Sequence, residues 1–425
     1  MSTSLQYDVV VLGCGVAGLT AAVQLAEGGA RVAVLAKGVG STHLAPGTVD
    51  VLGHDPKLVE QPRSALADFV SAHPDHPYAA VGPDAIASAL EWFSARIDQG
   101  PQAGYRYTGS LERNQLLPTA VGAIRPSALV PETMAEGDAR SDTPVCVVGI
   151  RAMRDFHASL CAGNLRRAGI PSRGIELDLE VGRIETNALG LARRLDDPRM
   201  RAALASQLAM VLRPEERLAL PAVLGLRDPH GVWSDLRDRL GRPVFEIPTL
   251  PPSVPGIRVY NALLAGLRAA GGRFILGAEV VGAEREGERV SAVRAHTSGR
   301  DTVFGARWVV LATGGFASGA IELGSDWEAR ERVFGLALRG APAPGEPRFS
   351  ADVLGEHPIS RAGIAVDGTL CAHGTENVFV AGAALAGAIP WQEGSGEGIA
   401  LSTGSAVART VLEREAATTT TATRA

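Results

Sequence analysis

The chain has 425 residues, a length that predicts two or three folding units. Hydrophobic residues make up 46% and charged residues 20%, which is ordinary for a globular protein and argues against a disordered or fibrous one. The formal net charge of -5 gives no overall attraction to nucleic acid or anionic lipid, so a nucleic-acid-binding function is disfavoured.

The N-terminal residues lack the basic segment of a signal peptide, and no window reaches the roughly 18 to 20 apolar residues of a membrane-crossing helix. We therefore expect a cytoplasmic protein, with any membrane contact peripheral and at the cytoplasmic face of the cell membrane. The cysteines lack the two-residue spacing typical of zinc or iron–sulfur ligands, so we expect no metal and buried, unpaired thiols. They are Cys14, Cys146, Cys161 and Cys371.

Residues 7–37 predict a β-α-β unit. Apolar runs at 7–12 and 31–35 have the length of buried parallel strands. Between them, apolar residues at helical spacing run to Gly28-Gly29, a pair that favours the end of a helix. The helix is therefore expected to connect two neighbouring parallel strands.

A glycine pattern stands at the junction of the first strand and this helix. The sequence there reads Gly13-Cys14-Gly15-Val16-Ala17-Gly18, which matches G-x-G-x-x-G. The first glycine allows a tight turn, the second lets a phosphate approach the backbone, and the third lets helix and strand pack closely. We therefore predict a nucleotide site formed by Gly13, Gly15, Val16, Ala17 and Gly18.

The end of the second strand departs from the usual nucleotide-binding pattern. An acid is expected about 20 residues after the glycines, where it holds the ribose hydroxyls, but the sequence has Lys37-Gly38. A Ser/Thr loop with Ser41 and Thr42 follows. This order resembles the succinate dehydrogenase and fumarate reductase group of flavoproteins, which implies that Lys37, Gly38, Ser41 and Thr42 bind the cofactor; Lys37 as a solvated strand end is the alternative.

Two further glycine segments lie near the C-terminus. Ala312-Thr313-Gly314 follows an apolar run and resembles the Ala-Thr-Gly signature of two-dinucleotide-binding-domain flavoproteins. Gly382 ends another apolar run, and a glycine-rich helix start follows it, with an open positive end that would stabilise negative charge on a reduced flavin. Its candidate residues are Gly394, Ser395, Gly396, Gly398 and Ile399. The related flavoproteins usually carry an acid where this chain has Ala383, so a second acidic anchor is absent.

These segments predict an α/β protein: a Rossmann-like FAD/NAD(P)-binding domain with a β-meander at 273–304, plus an inserted α+β cap domain. The proline-dense stretch 247–256 marks the return of the chain to the flavin domain, because prolines at this density do not fit a helix interior or a central strand. We predict the flavin-binding domain at 1–62 and 251–415, the inserted cap or substrate-side region at 63–250, and a disordered tail at 416–425.

Nearly the whole chain resembles the B subunits of anaerobic glycerol-3-phosphate dehydrogenases. The segments on which this resemblance rests are 7–37, 45–53, 148–156, 220–226 and 248–258. The resemblance implies oxidation of sn-glycerol 3-phosphate to dihydroxyacetone phosphate, with electrons passing to quinone and then to fumarate or nitrate. It also implies the catalytic A and iron–sulfur C subunits of the same complex as partners, and FMN as the cofactor. The glycine motif favours FAD; of the two flavins we expect FMN first.

Four residues are candidates for taking the substrate hydroxyl proton or binding its phosphate: His43, Arg258, His357 and Arg361. Each has an ordinary alternative as a packing or surface residue. His73 and His76 could suggest a metal site, but the prolines around them favour a turn or capping role. Two other functions remain open: a stand-alone flavin dehydrogenase or reductase of a small acid, and an anchoring subunit with a flavin fold but no catalysis.

Overall fold

In the computed structural model, residues 5–102, 104–179 and 187–424 are described. The strands are β1 Leu5–Leu12, β2 Val32–Ala36, β3 His54–Asp55, β4 Lys57–Leu58, β5 Tyr107–Gly109, β6 Gln115–Pro118, β7 Ile124–Ser127, β8 Leu129–Pro131, β9 Val145–Ile150, β10 Ser172–Leu177, β11 Arg217–Pro221, β12 Val244–Ile247, β13 Arg273–Leu276, β14 Glu279–Glu286, β15 Arg289–Thr297, β16 Arg300–Leu311, β17 Ile321–Leu323, β18 Ala329–Glu331, β19 Leu338–Arg339, β20 Gly363–Ile364 and β21 Val378–Val380. The helices are α1 Val16–Glu27, α2 Pro62–Ala72, α3 Pro77–Val81, α4 Pro83–Asp98, α5 Glu132–Ala135, α6 Ala158–Arg167, α7 Ala188–Leu195, α8 Pro198–Val211, α9 Pro229–Leu240, α10 Val254–Ala269, α11 Pro390–Glu393 and α12 Gly396–Arg424.

The chain forms two compact units. The first contains the residues up to Ser41, Ser64–Phe93 and the residues from Leu263 on, and the second contains Thr42–Arg63 and Ser94–Ala262. An α/β architecture with an inserted region is confirmed. The predicted boundaries assign 42–62 and 251–262 to the flavin domain and 64–93 to the inserted region, whereas the two units place 42–62 and 251–262 in the second unit and 64–93 in the first.

The first unit is organised around a seven-stranded sheet of order β13-β2-β1-β16-β15-β14, with β21 also paired to β16. Strands β13, β2, β1, β16 and β21 run parallel, and β14, β15 and β16 form an antiparallel meander. Val9, Val10 and Val11 in β1 are fully buried, as expected for a central parallel strand covered on both faces. The predicted β-α-β unit is confirmed, and the predicted meander is present from β14 to β16, whereas residues 273–276 at its predicted start form β13, which pairs in parallel with β2.

The second unit has a parallel sheet of order β10-β9-β11-β12. Its strands alternate with α6, α8 and α9, and they share a core in which Val147, Leu191 and Leu236 are fully buried. Two short antiparallel pairs, β5 with β8 and β6 with β7, add the rest of its strand content together with β3 and β4. The inserted region therefore contains a regular parallel sheet, which the sequence patterns do not indicate.

Long-range contacts join the segments 42–62 and 64–93 to their units. In the second unit, the Val49 amide donates to the Leu129 carbonyl at 2.8 Å, and the Asn114 side chain donates to the Leu52 carbonyl at 2.9 Å. In the first unit, the Tyr78 hydroxyl lies 3.3 Å from the Ser395 carbonyl. The partners of the two side chains are 62 and 317 positions away, so local sequence patterns do not indicate them.

The last helix differs from the predicted disordered tail. Helix α12 continues to Arg424, so the backbone of residues 416–424 is helical. The helix reaches this stretch through Glu413, Glu415 and Ala416, which have good helix propensity. Such residues allow a helix to extend beyond the part of it that is packed.

Candidate flavin site

The ends of three parallel strands meet at Gly13. The Gly13 amide donates to the Leu35 carbonyl at 2.9 Å, and the Ala312 amide donates to the Leu12 carbonyl at 2.8 Å. Gly13 has φ +105°, and a Cβ placed on it would lie 2.2 Å from the Ala312 carbonyl oxygen. Only glycine fits this turn, which brings the first two glycine segments together.

The start of α1 is open to an anion. Gly15 caps the helix in an extended conformation, without a side-chain hydrogen bond, and the first turn carries no acidic residue in the described structure. A Cβ added to Gly15 would meet no atom within 4 Å, whereas one on Gly18 would lie 2.2 Å from the Gly13 carbonyl oxygen. The backbone amides of Val16 and Ala17 thus lie at the N-terminus of α1, which attracts negative charge. The space beside Gly15 in front of this terminus is open.

The second segment supplies a buried hydroxyl beside this turn. The Thr313 Oγ1 is buried and has no hydrogen-bond partner among the described residues. Gly314 follows with φ +81°, and a Cβ on Gly315 would lie 2.6 Å from the Ala383 carbonyl oxygen. A buried polar atom without a partner has a free-energy cost that a bound polar group would relieve.

The third segment packs directly against α1. Gly382 has φ +73°, and a Cβ on it would lie 2.8 Å from the Cβ of Ala17. Its amide donates to the Thr403 hydroxyl at 2.9 Å, which ties the turn after β21 to α12. Ala383, where related flavoproteins carry an acid, is exposed.

The start of α12 is built by a left-handed turn. Gly394 has φ +63° and ends α11, and Ser395 is fully buried. Helix α12 begins at Gly396, and Ile399 donates its amide to the Ser395 carbonyl at 2.9 Å, so Gly398 lies in the first turn. The structure therefore places all three glycine segments in the first unit, around the starts of α1 and α12.

At the end of β2, Lys37 is exposed and its Nζ lies 2.8 Å from Glu279 Oε1. The Gly38 carbonyl accepts the Cys14 thiol at 3.1 Å, and Ser41 is exposed. Glu279 lies at the start of β14, and no sequence motif indicates it because 242 positions separate it from Lys37. An acid thus does lie near the strand end that lacks one in the sequence pattern.

Two predicted site residues lie in the second unit, next to each other. Thr42 is buried, and neither its Oγ1 nor the His43 Nε2 has a hydrogen-bond partner among the described residues. The His43 ring packs edge-on against Tyr260 with ring centroids 4.6 Å apart, and its carbonyl accepts the Ser253 amide at 2.9 Å. Burial lowers the pKa of His43, which favours a neutral ring that can accept a proton.

Arg258 occupies a closed network in the second unit. Its side chain is fully buried and donates to Glu246 Oε2 at 2.7 Å, to the Leu224 carbonyl at 2.9 Å and to the Gly225 carbonyl at 2.6 Å. A guanidinium with these partners is a structural ion pair, which is the ordinary alternative for this residue.

His357 and Arg361 lie in the first unit with local partners. The His357 Nδ1 accepts the Ser350 amide at 3.0 Å. Arg361 donates to Glu356 at 2.8 Å and to the Gly387 carbonyl at 2.9 Å. These contacts hold the loop before the third segment, and they do not by themselves assign either residue to chemistry.

The two histidines of the early proline-rich loop have separate roles. His76 caps α3, accepting the Tyr78 amide at its Nδ1 over 3.1 Å, which agrees with the predicted capping role. His73 contacts the carbonyl of Phe69 at 2.9 Å. Over the described part of the chain, no group of three or more His, Cys, Asp or Glu side chains could hold a metal ion.

All four cysteines are buried, and none of them is in a disulfide in the described structure. Burial raises the pKa of Cys146 to about 11 and that of Cys161 to about 12, so both remain protonated thiols at neutral pH. Among the helices of the described residues, none has a stretch both long and apolar enough to cross a membrane.

Comparisons with known proteins agree with this geometry. Residues 8–399 match the family described as FAD binding domain. A protein of Pectobacterium atrosepticum, named as the B subunit of anaerobic glycerol-3-phosphate dehydrogenase, is 35% identical over 96% of this chain and 99% of its own length. A Halobacterium salinarum protein, named as a probable B subunit of the same enzyme, is 34% identical over 96% and 99%.

Among solved structures, the open conformation of a flavocytochrome c3 fumarate reductase aligns with 96% of this chain and 78% of its own, at 10% identity and a TM-score of 0.45. Sequence identity over almost the full length of both proteins is the finding that assigns a family. The chain belongs to the family of anaerobic glycerol-3-phosphate dehydrogenase B subunits, within the FAD-binding domain family of flavoproteins.

Proposed function

We propose that this chain is the flavin-carrying B subunit of a glycerol-3-phosphate dehydrogenase that passes electrons to quinone, with fumarate or nitrate as final acceptor. The observation that carries the proposal is the identity of 35% with a B subunit over 96% of the chain. The reaction would be the oxidation of sn-glycerol 3-phosphate to dihydroxyacetone phosphate. We propose the catalytic A and iron–sulfur C subunits as its partners, and peripheral attachment at the cytoplasmic face of the membrane.

The flavin that we propose is FAD, in place of the FMN expected first from the sequence, and FMN remains the alternative. The turn at Gly13, the open position at Gly15 and the start of α1 support a pyrophosphate site, and the matching family is described as FAD binding domain. Glu279 beside Lys37 offers a carboxylate near the strand end where ribose hydroxyls are usually held. Mass spectrometry of the released cofactor distinguishes the two flavins directly.

His43 is the residue that we propose for proton transfer. When bound, a flavin supplies the acceptor for the hydride that leaves the carbinol carbon as the alcohol becomes a ketone. The hydroxyl proton must then go to a base, and the His43 Nε2 is a buried ring nitrogen without a partner among the described residues. The lowered pKa of His43 favours the neutral ring, which has one nitrogen able to accept a proton.

The binding site is tested by Gly15→Val. Its φ of -68° suits any residue and its Cβ would meet no protein atom within 4 Å, so the variant should fold. The valine side chain would occupy the space in front of α1, and we expect the loss of bound flavin. Gly368→Val is the matched control, because a Cβ there also meets nothing within 4 Å and the residue is exposed. A Gly15→Val protein with the wild-type flavin content would overturn the assignment of the site.

The activity is tested by adding sn-glycerol 3-phosphate to the flavin-loaded chain, alone and with the A and C subunits. We expect the flavin absorbance to bleach when the partners are present and to recover on addition of quinone. Bleaching of the isolated chain would instead support a stand-alone dehydrogenase. A folded chain that neither contains flavin nor takes up FMN or FAD would have only a non-catalytic anchoring role, and the proposal would fail.

A further inference from the structure

A buried cluster that the proposed chemistry does not use lies beside the start of α12. Glu393 is the last residue of α11 and is 8% exposed. Its carboxylate accepts the Ile389 amide at 2.7 Å, the Ser395 hydroxyl at 2.7 Å and the His76 Nε2 at 3.2 Å. Two donors from the same turn and one from 317 positions away thus converge on one carboxylate immediately before α12.

The contacts of His76 fix its tautomer. The Nδ1 accepts the amide of Tyr78, so the ring proton is on Nε2 and is donated to Glu393. The imidazole is completely buried, with the Phe69 ring edge-on at 4.9 Å between centroids. Both ring nitrogens are therefore engaged, one in capping α3 and the other in holding Glu393.

A second pair of contacts fastens the same two segments together. The Tyr78 hydroxyl donates to the Ser395 carbonyl at 3.3 Å, and a Cβ on Gly387 would lie 2.1 Å from the Asp75 carbonyl oxygen. The segment around His76 therefore supports the turn that leads into α12 from both sides of Glu393. Gly394, in its left-handed conformation, has no side chain to hold this turn, which leaves its geometry to the neighbours.

The charge state of Glu393 agrees with this role. Burial alone raises the pKa of its carboxyl, but the hydrogen bonds from His76, the Ile389 amide and the Ser395 hydroxyl outweigh burial and leave the pKa below its ordinary value. An ionised carboxylate makes stronger hydrogen bonds than a neutral acid, which stiffens the turn.

We propose that His76, acting through Glu393, is a positioning residue that sets the start of α12, and hence the helix amides at Gly396–Gly398, against the bound flavin. The role of this helix start rests on the function proposed above. Open amides at a helix N-terminus favour negative charge, so their placement influences the affinity for flavin and its reduction potential.

The experiment uses two substitutions that separate the two contacts of His76. Asn is a good helix cap but is too short to reach Glu393, so His76→Asn should preserve the cap of α3 and lose the hydrogen bond to the carboxylate. Gln places an amide donor near the position of Nε2, so His76→Gln should restore that bond. His73→Asn is the matched control, because His73 lies in the same loop and contacts the Phe69 carbonyl instead.

We expect His76→Asn to bind flavin about tenfold more weakly than wild type, because a buried acceptor loses its donor. Its flavin midpoint potential should become more negative by ~30 mV if the reduced form loses tenfold in relative affinity. His76→Gln should recover most of both values, and His73→Asn should match wild type. Equal effects of Asn and Gln, or wild-type affinity and potential in His76→Asn, would overturn the positioning role.

A readout without flavin separates this inference from the proposed function. In the apoprotein, hydrogen–deuterium exchange at residues 394–400 should be faster in His76→Asn than in wild type and near normal in His76→Gln. If the wild-type chain bound no flavin, the proposed function would fail. The exchange rates at residues 394–400 would still show whether His76 holds the start of α12. Unchanged exchange in His76→Asn would contradict the inference in either case.

Discussion

Arg258 shows how a functional candidate becomes a structural residue once its partners are known. Its guanidinium faces Glu246 and two backbone carbonyls, and it lies 5.3 Å from the centre of the Tyr105 ring. Glu246 in turn accepts the Leu224 amide at 2.7 Å. The guanidinium is fully buried and faces Glu246 in β12 and the loop after β11, so it is not accessible to a substrate phosphate.

We expect Arg258→Met to lower the free energy of unfolding by about 3–5 kcal/mol, because it leaves the Glu246 carboxylate buried without its charge partner. Chemical denaturation measures this loss. The double variant Arg258→Met with Glu246→Leu should regain much of it, since an apolar pair needs no ionic partner. Arg227→Met, which affects an 84% exposed side chain, should change stability by less than about 1 kcal/mol. A small loss in Arg258→Met would show that the ion pair does not support the fold.

Asp8 has a comparable role in the first unit, closer to the surface. Its carboxylate accepts the Arg31 amide at 2.8 Å and the Arg307 guanidinium at 2.6 Å. The hydrogen bond from the Arg31 side chain is the main cause that holds the pKa of Asp8 well below its ordinary value, against the opposing effect of burial. Asp8 therefore connects β1 to the start of β2 and to β16 while it is ionised.

The sign of the resulting pH dependence follows from the depressed pKa. The stabilisation is complete above the unfolded-state pKa of roughly 3.9 and is lost as pH falls towards the lower folded-state value. Asp8→Asn should therefore cost about 1–2 kcal/mol at pH 7, discounted because both arginines are at least half exposed. Its stability should then vary less than wild type below pH 4. Denaturation curves at pH 7 and 3 test this, with Asp98→Asn in an exposed ion pair as the control.

At the scale of elements, two helices define the candidate flavin site through small residues. Gly382 packs on the Ala17 side chain, and a Cβ on Gly404 would lie 2.5 Å from the Ala17 carbonyl oxygen. Helices α1 and α12 thus approach each other at backbone distance. Because both helices begin at the glycine segments, this packing also sets the separation of their N-termini.

Gly404→Ala is expected to destabilise the protein by about 1–2 kcal/mol, since overpacking against a backbone carbonyl outweighs the gain in helix propensity. It should also weaken flavin binding. Gly163→Ala is the control, because a Cβ in that helix would meet only the Arg166 side chain at 3.9 Å, and the propensity gain of about 0.5–1 kcal/mol should prevail. Thermal unfolding of both variants measures these changes in stability. A Gly404→Ala variant that is more stable than wild type would show that α1 and α12 can separate without a free-energy cost.

The elements that sequence patterns predict are those whose signals are local. Strand β1, helix α1 and the meander from β14 to β16 follow from apolar runs, helical spacing and glycine turns, and each is present. Strand β11 is missed because it begins at Arg217, a residue type that is normally expected on the surface. In the structure its guanidinium is buried and donates to the Thr143 carbonyl at 3.2 Å. A polar residue satisfied by a remote carbonyl gives no apolar signal.

For the candidate site, the glycines are predictable because turns with positive φ and close backbone contacts require glycine by geometry. His76, Glu279 and Glu393 are not, since each acts through a partner distant in sequence. The same reason explains the unit boundaries. The segments 42–62 and 64–93 join their units through hydrogen bonds to residues distant in sequence, which no periodicity indicates.

At the scale of the whole molecule, the glycine segments all belong to one unit. Strands β1, β16 and β21 end at these segments, whereas β9 and β11 belong to a separate sheet with its own core. A ligand stabilises the structure to which it binds, by ~2.7 kcal/mol when its concentration is 100 times the dissociation constant. Removal of flavin should therefore act unequally on the two units.

We expect hydrogen–deuterium exchange in the apoprotein to rise in peptides from β1, β16 and the first half of α12, while peptides from β9 and β11 change little. The reason is that local opening of the first unit then no longer requires release of the ligand, whereas the parallel sheet of the second unit keeps all its contacts. Gly15→Val, which should lack flavin, is expected to reproduce the apo pattern without any treatment to remove the cofactor, and Gly368→Val should retain the holo pattern. An equal rise in β9 and β11 would mean that both units open together, and flavin would then stabilise the molecule as one cooperative structure.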